Sequence, residues 1–381
     1  MNKFIETMKC GGGKFAVLLT VGAFAVSANA AYTEPRTNVV DGLRWRIKLD
    51  TSAKTCQLGY GADNTASTAL IGSYQSSSVV VPSKIPSTFV EDGETYITRA
   101  LANFAFSYSY GTTGSLVIPQ EITSIGNYVF SWSYISQYCF KGPVSEPQGV
   151  TQTFQTITPG SDGNGAFYGN VKRNFLFVGP NVKIASGSSA KNLIRNGFTG
   201  GSGLWTSSLT VILPSRSDNT SWASLTASDI HPRDASKAKL FFYGPAEEFD
   251  ILMHETSVTM IPTTANALTN VLNWASTFKT KFGLDTKISV TNAIEVGEGL
   301  ITASKMQYAT FNSLMFKAKT QSQLDSIFSV VPASVPISID PQDARETLTI
   351  PQGREVYVRL SGEGRNGQYT PKINGFTIIV Q

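Results

Sequence analysis

The chain has few of the residues on which most catalytic and metal centres depend. Only two of its 381 residues are histidines, His231 and His254. Neither lies in an H-E-x-x-H motif or in a Cys/His cluster, so a zinc site lacks ligands. The G-x-S-x-G motif that positions a serine nucleophile is also absent. The sequence therefore predicts no metal site, no cofactor, no catalytic residue and no enzymatic activity.

Charge and cysteine are scarce as well. Charged residues make up 15% of the chain, and 31 Lys and Arg against 27 Asp and Glu give a net charge of +4. The basic residues form no cluster, which argues against nucleic-acid binding. One cysteine, Cys10, lies in the N-terminal segment described next. The other two, Cys56 and Cys139, either form a single disulfide or are two buried thiols, and in neither case do they make a disulfide scaffold.

Long apolar runs are absent except near the N-terminus. Lys3, Lys9 and Lys14 precede an apolar run at 15–26 and an A-x-A sequence at 28–30. Such an order is typical of a secretory signal peptide, and the run is short for a bilayer-spanning anchor, which is the alternative. We expect residues 1–30 to be removed. The mature protein is then secreted or held at the cell surface, with no transmembrane segment.

Short apolar runs that end in Pro or Gly-Pro recur along the chain, at 79–82, 116–119, 138–143, 175–180, 209–214 and 239–245. Between the runs, four phenylalanines follow a small residue, namely Phe106, Phe130, Phe167 and Phe198. This regularity predicts stacked units whose strands form a parallel ladder and whose phenylalanines form a continuous core. The Gly and Asn residues at 126–127 and 196–197 are expected to supply positive φ angles. An ordinary β-sandwich is the alternative.

The unit at 115–130, SLVIPQEITSIGNYVF, resembles the repeat of BspA-like leucine-rich-repeat proteins, in which a strand ending in I-P precedes V-T-S-I-G-x-x-A-F. The segments at 97–106 and 163–170 are weaker copies, and 41–47 resembles the strand that caps such repeats. The resemblance spans residues 38–245. It implies a solenoid in a secreted or surface-exposed bacterial protein that acts in adhesion or host-ligand binding, and it brings no catalytic residues with it.

Helices and further strands are predicted after the repeats. Apolar residues of 265–282 fall on one helical face and Gly283 follows as a C-terminal cap, while Thr320 opens a second helix at 321–331. Four strand-like runs come after Pro332. The predicted fold is mainly β with some α. Residues 31–250 form a degenerate leucine-rich-repeat solenoid with an N-terminal cap, 251–311 a helical connecting region, and 312–381 a small C-terminal α+β or β module.

Alternation along the predicted strands places five residues on the outer face of the ladder, namely Val80, Val117, Cys139, Leu176 and Phe241. This face has no carboxylate, whereas glycan cleavage requires two carboxylates, or a basic residue beside a bound metal ion, on adjacent strands. An exposed apolar stripe of this size needs a partner. Either the helix at 265–282 and the C-terminal module cover it, or it binds a protein or glycan.

Four aromatic residues in the repeats or their loops are candidates for ligand binding, namely Trp132, Tyr134, Trp205 and Trp222. Aromatic side chains stack on sugar faces and anchor protein interfaces. The predicted function is extracellular recognition or adhesion with a protein or glycan ligand of unknown identity. The alternatives are a secreted polysaccharide-active parallel β-helix protein and a self-associating surface-layer component.

Overall fold

The computed structural model describes residues 32–61, 69–70, 82–109, 114–170, 172–197, 208–215, 220–295, 300–317, 320–335, 337–340, 348–351, 356–358 and 377–378. The predicted signal peptide at 1–30 lies outside the described residues, as do Val80, Phe198 and Trp205. Strands account for 36% of the residues and helices for 16%, so the predicted mainly β class is confirmed.

The strands of the first part of the chain are β1 (Arg36–Val40), β2 (Leu43–Asp50), β3 (Thr55–Leu58), β4 (Thr88–Glu91), β5 (Glu94–Leu101), β6 (Ser115–Ile118), β7 (Ser124–Ile125), β8 (Gln137–Phe140), β9 (Gln155–Pro159), β10 (Phe175–Val178), β11 (Val182–Ile184), β12 (Leu209–Pro214) and β13 (Ala238–Tyr243). Two short helices, α1 (Ala190–Ile194) and α2 (Ala227–Ile230), and a 3-10 turn at Ala235–Lys237 lie between them.

The second part contains β14 (Phe249–Met253), β15 (Ser257–Pro262), α3 (Ala265–Phe282), β16 (Asp285–Ser289), β17 (Ile294–Glu295), α4 (Ala303–Met306), β18 (Ala309–Lys317), α5 (Gln321–Val330), β19 (Ile337–Asp340), β20 (Leu348–Thr349), β21 (Val356–Val358) and β22 (Thr377–Ile378). Within the described ranges, none of these helices is both long enough and apolar enough to cross a lipid bilayer.

The chain passes alternately through two parallel sheets. Strands β6, β8, β10, β12 and β13 are neighbours in one sheet, and every pairing between them is parallel. Strands β3, β5, β7, β9 and β11 pair in parallel in the other. The antiparallel hairpin β1–β2 precedes β3, so the predicted capping strand lies at the start of the second sheet. The predicted parallel ladder is confirmed.

The space between the two sheets is filled by phenylalanines from successive turns. Phe106, Phe130 and Phe167 are fully buried. The ring centroids of Phe106 and Phe130 lie 5.9 Å apart, and those of Phe130 and Phe167 lie 4.9 Å apart. Trp45 of β2 closes the row at 6.1 Å from Phe106. This stacked row is the continuous phenylalanine core that the sequence predicts.

The outer face of the first sheet carries three of the five residues predicted for it, namely Val117, Cys139 and Phe241. The strand registers align Val117, Cys139, Phe177, Ile212 and Phe241 in one column. Leu176 pairs with Tyr138 instead and is buried in the inner core, so its predicted position was wrong. The distance from a strand to the proline that follows it varies: the proline comes directly after β6, after two residues beyond β8 and after one residue beyond β10. A register deduced from the prolines is therefore shifted between these strands.

Helix α3 covers this outer face. Its Phe278 ring lies 6.0 Å from Phe175 and 4.9 Å from Phe177, and its Trp274 ring lies 4.9 Å from Phe241. The helix has the predicted bounds and ends at Gly283 with a φ of 68°. The alternative in which the helix at 265–282 covers this face is therefore the one that the molecule adopts.

A third sheet packs on the far side of α3, in the order β14, β15, β16, β18, β19 and β21. Only its β14–β15 pair is antiparallel along this path. The predicted boundary at 311 falls inside β18, and 251–311 contains strands of this sheet as well as α3 and α4. Strands β14, β15 and β16 were not predicted because runs of five or six residues alone give a weak strand signal. The parallel pairing of β15 with β16 spans the helix α3, and such pairing leaves no local pattern in the sequence.

Cys56 and Cys139 are both free and buried. Cys56 belongs to the core between the two parallel sheets, and Cys139 belongs to the core around α3. The possible disulfide is thus not formed, because the two side chains lie in separate clusters. Burial raises the pKa of the Cys56 thiol to about 11 and also raises that of Cys139.

We expect Phe130→Ala to lower the free energy of unfolding by about 3–5 kcal/mol, because it leaves a cavity between two stacked rings. Urea denaturation followed by circular dichroism measures the change. Phe130→Leu is the matched control and is expected to cost less, since it keeps most of the buried volume. A loss below about 1 kcal/mol for the alanine variant would contradict the stacked core.

The two thiols should be unreactive toward a disulfide reagent such as DTNB in native protein, because both are buried and predominantly protonated at neutral pH. Residues Tyr32–Gln381 form one compact unit, so the chain from residue 31 onward is a suitable sample. Two thiols per chain should react after denaturation without reductant. None reacting after denaturation would show that a disulfide exists.

Candidate functional site

One turn sequence occurs three times, each time shortly after the chain leaves a strand of the second sheet. The copies are NFAFSY at 103–108, NYVFSW at 127–132 and NGAFYG at 164–169. In each copy the fourth residue is the buried phenylalanine of the core. The residues two positions before and two positions after that phenylalanine lie at the surface end of the turn in the first two copies. This repetition brings side chains from separate turns side by side.

Four of these flanking positions hold bulky aromatic residues with left-handed backbone angles. The φ angles are 60° for Phe104, 53° for Tyr108, 57° for Tyr128 and 53° for Trp132. The third copy has Gly165 and Gly169 there, with φ angles of 84° and 69°. Positive φ is uncommon for residues with a side chain and is an outlier for bulky ones. Backbone strain of this kind tends to occur at functional sites, so these turns merit attention as a site.

The aromatic side chains of the three turns touch one another. We call this group the aromatic edge, defined as Phe104, Tyr108, Tyr128, Trp132 and Tyr168. All five are half-buried. Phe104 and Tyr128 stack with ring centroids 5.3 Å apart, and Tyr108 and Trp132 stack at 6.4 Å. The Tyr168 ring is perpendicular to Tyr128 at 5.4 Å and nearly so to Trp132 at 6.3 Å, which joins the two pairs into one patch.

Glycines allow the aromatic side chains and the neighbouring turns to approach one another closely. A Cβ atom on Gly169 would lie 2.7 Å from Cε2 of Trp132, so the indole rests directly on that glycine. Gly126 and Gly197 do not have the positive φ angles predicted for them. Instead, a Cβ atom on either would lie within 2.6 Å of atoms of Asn103 or Asn164 in the neighbouring turn. Their role is close approach between turns rather than left-handed geometry.

Hydrogen-bonding groups lie at one end of the aromatic edge. The hydroxyl of Tyr128 donates to Oδ2 of Asp162 at 2.5 Å, and Nδ2 of Asn164 donates to the Tyr128 hydroxyl at 3.2 Å. The Tyr128 bond, together with the backbone N–H of Asn164, holds the pKa of Asp162 below its usual range. Burial, and then the Asp162 hydrogen bond, raise the pKa of Tyr128. This end therefore presents an ionised carboxylate and an amide beside aromatic rings.

Tyr134 lies two residues beyond Trp132 and is 36% exposed, which makes it one of the few large exposed aromatic side chains described. Nζ of Lys172 lies 5.3 Å from the centre of its ring. An ammonium group at this distance is attracted by the face of the ring. Tyr134 and Lys172 thus add a cation beside the aromatic edge.

The four aromatic residues predicted as ligand contacts have different positions. Trp132 is part of the aromatic edge, and Tyr134 is exposed close to it in the chain. Trp222 is 0% exposed and its Nε1 donates to the Val182 carbonyl at 3.0 Å, so its prediction as a ligand contact was wrong. The indole is buried because it covers the last strand of the second sheet. Trp205 lies outside the described residues.

Sequence reasoning missed Phe104, Tyr108, Tyr128 and Tyr168. The signal was present once the core phenylalanines are aligned, because aromatic residues then recur two positions before and two positions after Phe106 and Phe130. The alignment alone does not reveal the left-handed backbone of Phe104, Tyr108 and Tyr128, and it does not include Tyr168, which lies one position after Phe167.

A separate cleft of about 820 Å³ lies between the C-terminal end of α3 and the ends of the first sheet's strands. Its charged lining residues are Lys84, Lys141, Lys279, Lys281, Glu121, Glu146 and Glu255. Two of the lysines are engaged, Lys279 with the Asp285 carboxylate and Lys141 with the Glu255 carbonyl. Because both lysines and glutamates line the cleft, its charge favours neither an anionic nor a cationic ligand. Among the described residues, no group of His, Cys, Asp and Glu is suited to bind a metal ion.

We expect Gly169→Ala to lower the free energy of unfolding by about 2 kcal/mol or more, since it adds a clash with Trp132 to the cost of a side chain at positive φ. Gly187→Ala is the matched control, because Gly187 has a φ of 79° and no atom within 4 Å of its added Cβ. Urea denaturation gives both values. Equal losses of unfolding free energy in the two glycine variants would contradict the close contact between Gly169 and the Trp132 indole. So would a failure of Trp132→Ala to restore stability to Gly169→Ala.

Comparison with known proteins assigns no family to the chain. No protein-family model matches it, and no curated protein and no solved structure matches it significantly. Its function must therefore be inferred from its own residues.

Proposed function

We propose that the chain is an exported recognition or adhesion protein, secreted or held at the cell surface, whose aromatic edge binds an extracellular glycan. Residues 31–250 form, in this proposal, a degenerate leucine-rich-repeat solenoid of the BspA-like kind. The observation that carries the proposal is the aromatic edge itself, in which five half-buried aromatic rings, four of them on residues with left-handed backbone angles, form one contiguous patch.

The two parallel sheets support the solenoid part of the proposal. Each passage through both sheets adds one strand to each ladder and one phenylalanine to the row between them. Units of this kind contact only their neighbours, so a surface feature of the turn is repeated along the stack. The N-terminal sequence at 1–30 supports export, because basic residues, an apolar run and A-x-A follow in the order of a signal peptide.

The neighbouring polar groups favour a glycan over a protein ligand. Aromatic rings contact the C–H faces of pyranose sugars, whose hydroxyls then need hydrogen-bonding partners at the rim. Asp162 and Asn164 supply an acceptor and a donor at one end of the edge. The large aliphatic residues that are most exposed, namely Val39, Val90, Val144 and Val150, lie in other segments. A protein ligand is the alternative, because aromatic residues also anchor protein interfaces.

The first experiment is a binding screen of residues 31–381 against polysaccharides, mucins and extracellular matrix proteins, with bound protein and released reducing ends measured together. Saturable binding to a polysaccharide without release is the expected result. Saturable binding to a protein alone would replace the glycan by a protein ligand. Release of reducing ends would favour the polysaccharide-active alternative, and Glu121, Glu146 and Glu255 of the cleft would be the residues to replace first.

For the ligand found in that screen, we expect Trp132→Ala and Tyr128→Ala each to weaken binding about tenfold, because each removes a ring from the patch. Phe154→Ala is the matched control, since Phe154 is a half-buried aromatic residue outside the aromatic edge. Isothermal titration calorimetry measures the affinities, and circular dichroism checks that the variants fold. Unchanged affinity in folded Trp132 and Tyr128 variants would exclude the aromatic edge as the binding site.

A further inference from the structure

Strand β13 ends the first sheet with an uncovered edge. It pairs with β12 on one side, and among the described residues no strand pairs with its other side. Leu240, Phe241 and Phe242 of β13 are half-buried, whereas their partners Val211, Ile212 and Leu213 in β12 are fully buried. An edge strand with apolar side chains and open backbone groups is a template for pairing with another strand.

Two other edges of the parallel ladders, those of β6 and β11, are covered within the chain. Segment 83–85 closes the β6 edge, where Val117 N–H donates to the Ser83 carbonyl at 2.9 Å and Ile85 N–H donates to the Val117 carbonyl at 3.1 Å. Two side chains close the β11 edge, since Ser221 Oγ accepts from Ile184 N–H and Trp222 Nε1 donates to the Val182 carbonyl. Among the described residues, no such hydrogen bond is found on the outer edge of β13 at Leu240, Phe241 or Phe242, so this part of the strand is open.

The charged residues nearest to β13 are basic at its start and acidic beyond its end, although Asp234 lies further before the start and interacts with Lys237. Lys237 and Lys239 stand at its start, and Glu247 and Glu248 follow its end. Lys239 and both glutamates are exposed. Glu247 accepts a hydrogen bond from Ser215, whereas Lys239 and Glu248 have no ion-pair partner among the described residues. Two such edges laid parallel would bring like charges together, and laid antiparallel they would bring opposite charges together.

We propose that two copies of the chain pair through their β13 edges, antiparallel and about a two-fold axis. The pairing supplies the missing backbone hydrogen bonds and covers Leu240, Phe241 and Phe242. It also brings the lysines of each copy near the glutamates of the other. A two-fold interface uses the same patch on both subunits, so every favourable contact occurs twice. This inference is independent of the ligand of the aromatic edge.

Sedimentation equilibrium of residues 31–381 tests the pairing. A monomer–dimer equilibrium is expected, with a dissociation constant that rises about tenfold in Lys239→Glu and in Glu248→Lys, because each places like charges together at two symmetric positions. The double variant Lys239→Glu/Glu248→Lys exchanges the charges and should restore dimerisation. Lys281→Glu, an exposed lysine on α3, is the matched control and should leave the equilibrium unchanged.

A protein that stays monomeric up to its highest soluble concentration would overturn the proposal. So would a dimer whose stability is unaffected by both single variants, since that dimer must use another surface. Weakening in both single variants without recovery in the double variant would also overturn the antiparallel arrangement, because opposite charges would then not be facing each other.

Discussion

The structure depends on the contact between phenylalanines of successive turns. Phe106, Phe130 and Phe167 fill the space between the two parallel sheets, and Phe130 is covered on both sides by the rings of the neighbouring turns. A ring at either end of such a row needs another apolar group to cover it, and Trp45 does so at the N-terminal end. The requirement to keep this row aligned fixes the conformation of each turn, including the left-handed residues on either side of the phenylalanine. The geometry of the core turn thus sets the position of the aromatic edge, and the sequence fills that position with aromatic residues.

The outer face of the first sheet places a second constraint on the chain. Its column of Val117, Cys139, Phe177, Ile212 and Phe241 is as apolar as the inner face, so it cannot be left in water. Helix α3 resolves this by packing between that face and the third sheet. The helix is buried along most of its length for the same reason, since it has an apolar surface on both sides.

The features predicted correctly from sequence are those with a local signal. The bounds of α3 follow from its apolar periodicity and from Gly283, and the parallel ladder follows from the spacing of the phenylalanines. The position of Leu176 was wrong because one extra residue before a proline moves a side chain to the opposite face. The burial of Trp222 and the pairing of β14, β15 and β16 depend on contacts between distant segments, which have no local pattern. Four of the five residues of the aromatic edge were missed, and for Phe104, Tyr108 and Tyr128 the left-handed backbone that places them has no signature in the sequence.

The position of α3 also determines how the chain can be divided. The helix belongs equally to the ladder and to the third sheet, since Phe278 contacts Phe177 on one side while the same core contains Met260 and Ile288 on the other. A fragment ending near residue 250 would expose the whole outer column of the ladder, and a fragment beginning there would expose one side of its helix. The repeats and the C-terminal part are consequently not independent units that could be exchanged or lost separately in evolution. A recombinant containing only one of them would need α3 and a replacement for the other part that packs on α3.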